Sequence, residues 1–131
     1  MKYLIPLLLV VLTIFLLTAG CAKTKEVPAV NTYKQITPAE AKALMEGDAI
    51  ILDVRTEEEF AEGHIEGAIL IPDYEITEKA PQVLPDKNAL ILVYCRSGRR
   101  SKLAAEALVA LGYTNVQEFG GIIDWPYEVV K

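Results

Sequence analysis

One stretch constrains this chain more than any other. The apolar run Ala89-Leu90-Ile91-Leu92-Val93 ends in Tyr94-Cys95, and Arg96-Ser97-Gly98-Arg99-Arg100-Ser101 leads into a helical pattern from Lys102. The layout predicts a strand, a tight loop and a helix. A loop with a glycine and two hydroxyls turns consecutive backbone N–H groups into one concavity, which holds an anion. The helix that follows adds unpaired N–H groups and the positive end of its dipole. A cysteine placed there is drawn toward thiolate by those dipoles and by nearby guanidinium groups. Cys95 is therefore the candidate nucleophile. Arg96, Ser97, Gly98, Arg99, Arg100 and Ser101 are the candidate binding residues around it. Sequence leaves open which arginines face a substrate, and at least one is expected to be solvated. Cysteine is also a common core residue, but a strand end beside a glycine and three arginines is a poor place for an inert thiol.

Composition narrows the chemistry. The 131 residues hold two cysteines and one histidine, which excludes a disulfide scaffold and a zinc site. No metal or cofactor is expected. The net charge of −5 argues against nucleic acid as a partner. Arginines gathered locally in an acidic chain suit a small anion rather than a basic face.

The first quarter differs from the rest. Lys2 precedes an uncharged, Leu-rich run from Leu4 to Ala19, and Leu17-Thr18-Ala19-Gly20-Cys21 closes it. A basic start, an apolar stretch and small residues make residues 1–20 a secretory signal peptide. The run is shorter than the roughly 20 residues that span a bilayer comfortably. Ala19-Gly20-Cys21 resembles the lipobox of bacterial lipoproteins, with Thr18 where Leu is commoner. That resemblance implies that Cys21 becomes a lipidated N-terminus. An uncleaved anchor is the alternative, and either one puts the domain outside the cytoplasm, in the periplasm or at the cell surface, attached to a membrane. Residues 21–32 comprise the anchor cysteine and an aperiodic tether.

The remaining residues, 33–131, read as one α/β domain. Tyr33–Ile36 alternates as a short strand. Thr37-Pro38-Ala39-Glu40 is a capping box with proline at the first helical position, opening a helix to about Glu46 that stops at Gly47. Ala49–Leu52 is a strand without alternation, as expected for burial on both faces of a parallel sheet. Thr56 caps a short helix from Glu57 to Ala61, and Glu57-Glu58-Glu59 is its solvated first turn. Ala68–Ile71 is a third strand. A short helix is expected near Glu75–Val83, and the fourth strand delivers Cys95. The next helix is expected to face the core with Leu103, Ala104, Ala107, Leu108 and Leu111 and to end at Gly112. Asn115–Phe119 is a fifth strand, and Gly120-Gly121 turns into a short terminal helix. Strands alternating with helices predict a mostly parallel sheet, with the site at the carboxyl ends of the strands.

Three segments resemble the signatures of the rhodanese family. They are Asp53-Val54-Arg55 through Gly63-His64-Ile65-Glu66-Gly67-Ala68, then Tyr94-Cys95-Arg96-Ser97-Gly98-Arg99-Arg100-Ser101, then Gly120-Gly121-Ile122-Ile123-Asp124-Trp125. They occur in the family's order and spacing across about residues 33–127. The resemblance implies a five-stranded parallel sheet with helices on both faces. It also implies sulfur transfer: Cys95 takes the outer sulfur of a donor such as thiosulfate and passes it to a thiol or cyanide-like acceptor. The chemistry asks for a thiolate, positive charge for an anionic donor, and loop N–H groups to hold a persulfide. Loop length separates this from the phosphatases and arsenate reductases of similar architecture, in which five residues separate Cys and Arg. Here the sixth residue after Cys95 is Ser101, not Arg. Asp53 and Arg55 read as an ion pair bracing the loops around the site. His64 lies in a structural glycine turn, since a thiolate needs no base, and Trp125 reads as a packing lid. The rival readings are a non-catalytic binding module of the same fold and a persulfide carrier for a partner protein.

Overall fold

The computed structural model describes residues 32–131. The expected signal peptide, Cys21 and the tether to Asn31 lie outside the described residues. The strands are β1 (Lys34–Gln35), β2 (Ile50–Asp53), β3 (Ile69–Leu70), β4 (Ile91–Cys95) and β5 (Val116–Gly121). They form one sheet in the order β1-β5-β4-β2-β3, with every neighbouring pair parallel. The helices are α1 (Pro38–Leu44), α2 (Glu57–Glu62), α3 (Ile76–Val83) and α4 (Arg99–Ala110).

Alternation along the central strand assigns the two faces. Ile91, Val93 and Cys95 of β4 share a core with Ile76 and Ala80 of α3 and with Ala104, Ala105 and Leu108 of α4. Leu92 and Tyr94 point the other way, into a core with Ala41 of α1, Phe119 and Trp125. All five residues of β4 are buried, which explains its unbroken apolar sequence. The chain runs outward from β2 to β3 and then returns past β2 to build β4 and β5 on the opposite side. The crevice between the carboxyl ends of β2 and β4 is thus the topological switch point. Asp53 pairs in register with Tyr94 there, one residue before the cysteine.

Local signals set the helix starts. The Thr37 hydroxyl accepts the Glu40 N–H at 3.1 Å, and the Glu40 carboxylate accepts the Thr37 N–H at 2.8 Å. Thr56 accepts the Glu59 N–H at 3.2 Å. Two expectations need correction, both in α4. It begins at Arg99, not Lys102, because Gly98 adopts φ +102° and starts the helix directly behind the cysteine loop. Its core stripe is Ser101, Ala104, Ala105 and Leu108, the i, i+3, i+4, i+7 face. Leu103 falls off that face and is 52 % exposed, while Ala107 and Leu111 pack at its margin. The terminal helix is a single 3-10 turn, Ile122–Asp124.

This packing separates two leucines of one helix. Leu108→Ala should lower the unfolding free energy by about 3 kcal/mol, as burial in a packed core dictates. Leu103→Ala should stay within about 0.5 kcal/mol of the wild type. Urea unfolding of both variants checks the assignment, and equal losses would contradict it.

Candidate active site

Cys95 ends β4 and is 1 % exposed. The chain then doubles back, and the left-handed turn at Gly98 aims its N–H at the Cys95 Sγ at 3.0 Å. Ser101, in the first turn of α4, brings its hydroxyl within 3.4 Å of the same sulfur. The first intrahelical bond behind the loop runs from the Lys102 N–H to the Gly98 carbonyl at 3.3 Å. The N–H groups of Arg99, Arg100 and Ser101 precede it and have no carbonyl of their own helix to bond. The sulfur therefore lies at the positive end of α4, in a cup of backbone donors.

The cup is held against β5. A Cβ at Gly121 would collide with the backbone of Arg96 and Ser97, so only glycine admits this approach. The Ile123 N–H reaches the Arg96 carbonyl at 3.2 Å. The β4–β5 register shifts between Val93 and Cys95, which places Cys95 opposite Gly121.

The arginines differ in their surroundings. Arg100 forms two parallel bonds to Glu59 of α2, Nη1 to Oε1 at 2.7 Å and Nη2 to Oε2 at 3.0 Å. That guanidinium holds the Glu59 carboxyl down to about 2. Arg96 and Arg99 are exposed. Arg96, with Arg55, Glu59, Glu62, Arg100 and Ile122, lines a cavity of about 550 Å³ at the mouth of the loop. Arg99 and Ser97 are not among the residues lining that cavity.

Asp53 and Arg55 sit under one wall of the cavity. Asp53 is fully buried and accepts from Arg55 Nε at 3.0 Å, Arg55 Nη2 at 2.7 Å and the Arg55 backbone N–H at 2.9 Å. It also accepts the Tyr94 hydroxyl at 2.7 Å. Arg55 Nη2 donates in addition to the Gly63 carbonyl at 2.7 Å. Burial, then the bond to Asp53, pushes the Tyr94 phenol far above its ordinary value, so it stays a neutral donor. His64 stacks on Phe60 with ring centroids 3.7 Å apart, its Nδ1 is 2.9 Å from the Phe60 carbonyl, and its backbone bridges Val130. Trp125 packs edge-on against Tyr127 and beside Phe119, on the face away from Cys95.

One residue at the site went unnoticed in the sequence. Glu118 of β5 is 2 % exposed, and its Oε1 accepts the Ser101 hydroxyl at 2.6 Å and the Gly120 N–H at 2.8 Å. The available signal was an acid two residues after Val116, at a core-facing position of a strand.

Comparison with known proteins gives the family. The Rhodanese-like domain family model matches residues 37–126. The chain belongs to the rhodanese-like family. It is 42 % identical over 80 residues to the thiosulfate sulfurtransferase PspE of Escherichia coli, covering 61 % of this chain and 77 % of that protein. It is 33 % identical over 91 residues to the thiosulfate sulfurtransferase GlpE of Pseudomonas entomophila, covering 70 % of this chain and 82 % of that one. A solved structure described as a rhodanese with anions, from E. coli, superposes with a TM-score of 0.60 at 41 % identity, covering 63 % of this chain and 98 % of that chain.

The Glu59–Arg100 pair makes a pH-dependent contribution. Its carboxyl is depressed from 4.5 to about 2 in the folded state, so the stabilisation is complete above pH 4.5 and is lost as the pH falls toward 2. Both side chains are about a quarter exposed, so solvent screening limits the effect to about 1 kcal/mol. Glu59→Gln should lower stability by that amount at neutral pH, and the difference from wild type should fade between pH 4.5 and 2. Urea midpoints across that range test it, and a constant difference would rule the pair out as its source.

Proposed function

We propose that this protein is a sulfurtransferase that carries a sulfane sulfur on Cys95. The observation that carries the reading is the cup itself: a buried sulfur with the Gly98 N–H at 3.0 Å, at the start of α4. In the first half-reaction the Cys95 thiolate attacks the outer sulfur of thiosulfate. The donor's S–S bond breaks and sulfite leaves with the electron pair. The persulfide anion rests in the cup, where backbone N–H groups from Arg96 to Ser101 stabilise its outer sulfur as an oxyanion hole stabilises oxygen. In the second half-reaction a thiol or cyanide-like acceptor attacks that outer sulfur, and Cys95 leaves as thiolate. One covalent intermediate shared by two substrates gives ping-pong kinetics. Thiosulfate as donor is supported by Arg96 at the cavity and by the names of the relatives PspE and GlpE. Asp53 and Arg55 brace the loops and do not touch the sulfur.

The second part of the proposal concerns the N-terminus. Residues 1–20 are a signal peptide, Cys21 carries lipid, and the segment to Asn31 tethers the domain to the extracytoplasmic side of a membrane. The support is the charge and apolar pattern of Met1–Gly20 with Ala19-Gly20-Cys21 at its end.

Each part has its own test. In a Cys21→Ser background Cys95 is the one remaining thiol. Incubation with thiosulfate should add one sulfur atom to the intact mass, which cyanide removes and Cys95→Ser abolishes. An unchanged mass with every sulfane donor tried, while the thiol stays titratable, would favour the binding-module reading. For the anchor, the wild-type protein from membranes should begin at Cys21 and incorporate labelled palmitate, and Cys21→Ser should not. A wild-type protein that takes up no label would overturn it.

A further inference from the structure

Glu118 is a buried acid that the transfer reaction above does not use. Its surroundings are specific. The Ser101 hydroxyl has one hydrogen and four atoms within reach: Glu118 Oε1 at 2.6 Å, the Gly98 carbonyl at 3.0 Å, the Gly120 carbonyl at 3.4 Å and Cys95 Sγ at 3.4 Å. The carboxylate is the closest of the four, and its distance is that of a charge-assisted O–H···O bond. The Gly120 N–H at 2.8 Å fixes the same oxygen in place. The hydroxyl hydrogen is thus committed to Glu118, and the oxygen lone pairs are left toward the sulfur. Lone pairs suit a thiol S–H and repel a thiolate.

The other charged groups pull the opposite way. Arg96, Arg99 and Arg100 of the loop and α4, with the start of α4, favour thiolate, and the charge of Arg100 acts directly on Cys95. Glu59 of α2 and Asp73, ahead of α3, face Arg100 and temper it. Lys102 of α4 is exposed. The sheet neighbours of Glu118 are Gln35 of β1 and Val93 of β4, and neither carries charge. Among the described residues no cation pairs with Glu118.

We propose that Glu118 is a positioning residue which, by holding the Ser101 hydroxyl, disfavours the bare Cys95 thiolate and loses that hold once the cysteine carries sulfur. The relief follows from geometry. In a persulfide Sγ is uncharged, and the negative charge moves outward by one S–S bond, about 2 Å. It then sits among the loop N–H groups, farther from the Ser101 hydroxyl and Glu118. Glu118 thus disfavours the bare thiolate relative to the loaded anion.

The test follows thiolate ultraviolet absorbance of the full chain against pH, with Cys95→Ser subtracted to remove Cys21. Glu118→Gln keeps an oxygen for both hydrogen bonds and removes the charge. Its midpoint should fall by about one pH unit, giving about tenfold more thiolate below the wild-type midpoint. An unmoved or raised midpoint would overturn the proposal and leave Glu118 a scaffold residue. If Glu118→Gln does not fold, the Glu118 carboxyl carbon of the wild type decides by NMR. It should show a second inflection at the Cys95 midpoint that is missing from Cys95→Ser, because coupled groups sense each other's titration. Identical curves in the two proteins would overturn the proposal. Loaded with thiosulfate beforehand, wild type and Glu118→Gln should titrate more nearly alike, and an undiminished difference would overturn the relief on loading. This last step rests on the function proposed above. Failure to load counts against that function, and the empty-state titration still decides the role of Glu118.

Discussion

The site depends on a close approach between two backbones. The Arg96–Ser97 peptide lies against the Cα of Gly121, in space that no side chain could share. Because β5 holds the loop on this side, the chain must curl the other way, and the left-handed turn at Gly98 completes the curl within three residues of the cysteine. The curl starts α4 at Arg99, so the helix N-terminus meets the sulfur rather than solvent. The register shift between β4 and β5 falls at the same point, as expected where a sheet yields to a functional loop. The diameter of the cup, its donors and its position on the sheet all follow from this one contact.

A second constraint holds the cysteine from the opposite face. Asp53 is fully buried, and a lone carboxylate there would cost several kcal/mol. It gathers donors from Arg55 and Tyr94 instead, and Arg55 extends the network to the Gly63 carbonyl. The Tyr94 hydroxyl in turn accepts the Ile65 N–H at 3.1 Å. Tyr94 and Cys95 are consecutive and point to opposite faces of the sheet. A network that fixes Tyr94 therefore fixes the backbone from which the sulfur projects, without placing an acid beside it.

Much of this was legible in the sequence, wherever the cause was local. The Thr37 and Thr56 caps, the fully apolar β4 and the strand-to-helix loop around Cys95 depend on neighbours within a few residues. Misread features have distant causes. The first turn of α4 is Arg-Arg-Ser, with no apolar periodicity to announce it, and the buried Ser101, which with Ala104, Ala105 and Leu108 makes a stripe that leaves Leu103 out, is not apolar. The helix Ile76–Val83 stands where the sequence predicts it, but its brace is distant: the Tyr113 hydroxyl reaches the Ala80 and Leu84 carbonyls at 2.9 and 2.6 Å. The pairing of Arg100 with Glu59 joins residues 41 apart, so nothing in the loop could show which arginine was engaged. Glu118 reaches the site only because the sheet order places β5 beside β4.

The charges near the cup show what kind of anion it suits. Arg55 is matched by Asp53, and Arg100 by Glu59. Arg96 stands at the cavity and Arg99 in solvent, while the buried Glu118 carboxyl lies behind the Ser101 hydroxyl. Little unopposed side-chain charge remains at the sulfur itself, so an anion is held there mainly by backbone dipoles. Such dipoles are fixed by the fold and cannot titrate. A phosphate dianion calls for a guanidinium fork in addition to N–H groups, and the loop has serine where that arginine would stand. A single sulfur carrying one negative charge asks only for several short N–H contacts and no bulk around them, which the Gly98 turn and the start of α4 supply. The shortness of the loop and the pairing of Arg100 with Glu59 thus fit the cup to a single small sulfur anion, while Arg96 at the cavity is left for the donor's remaining charge.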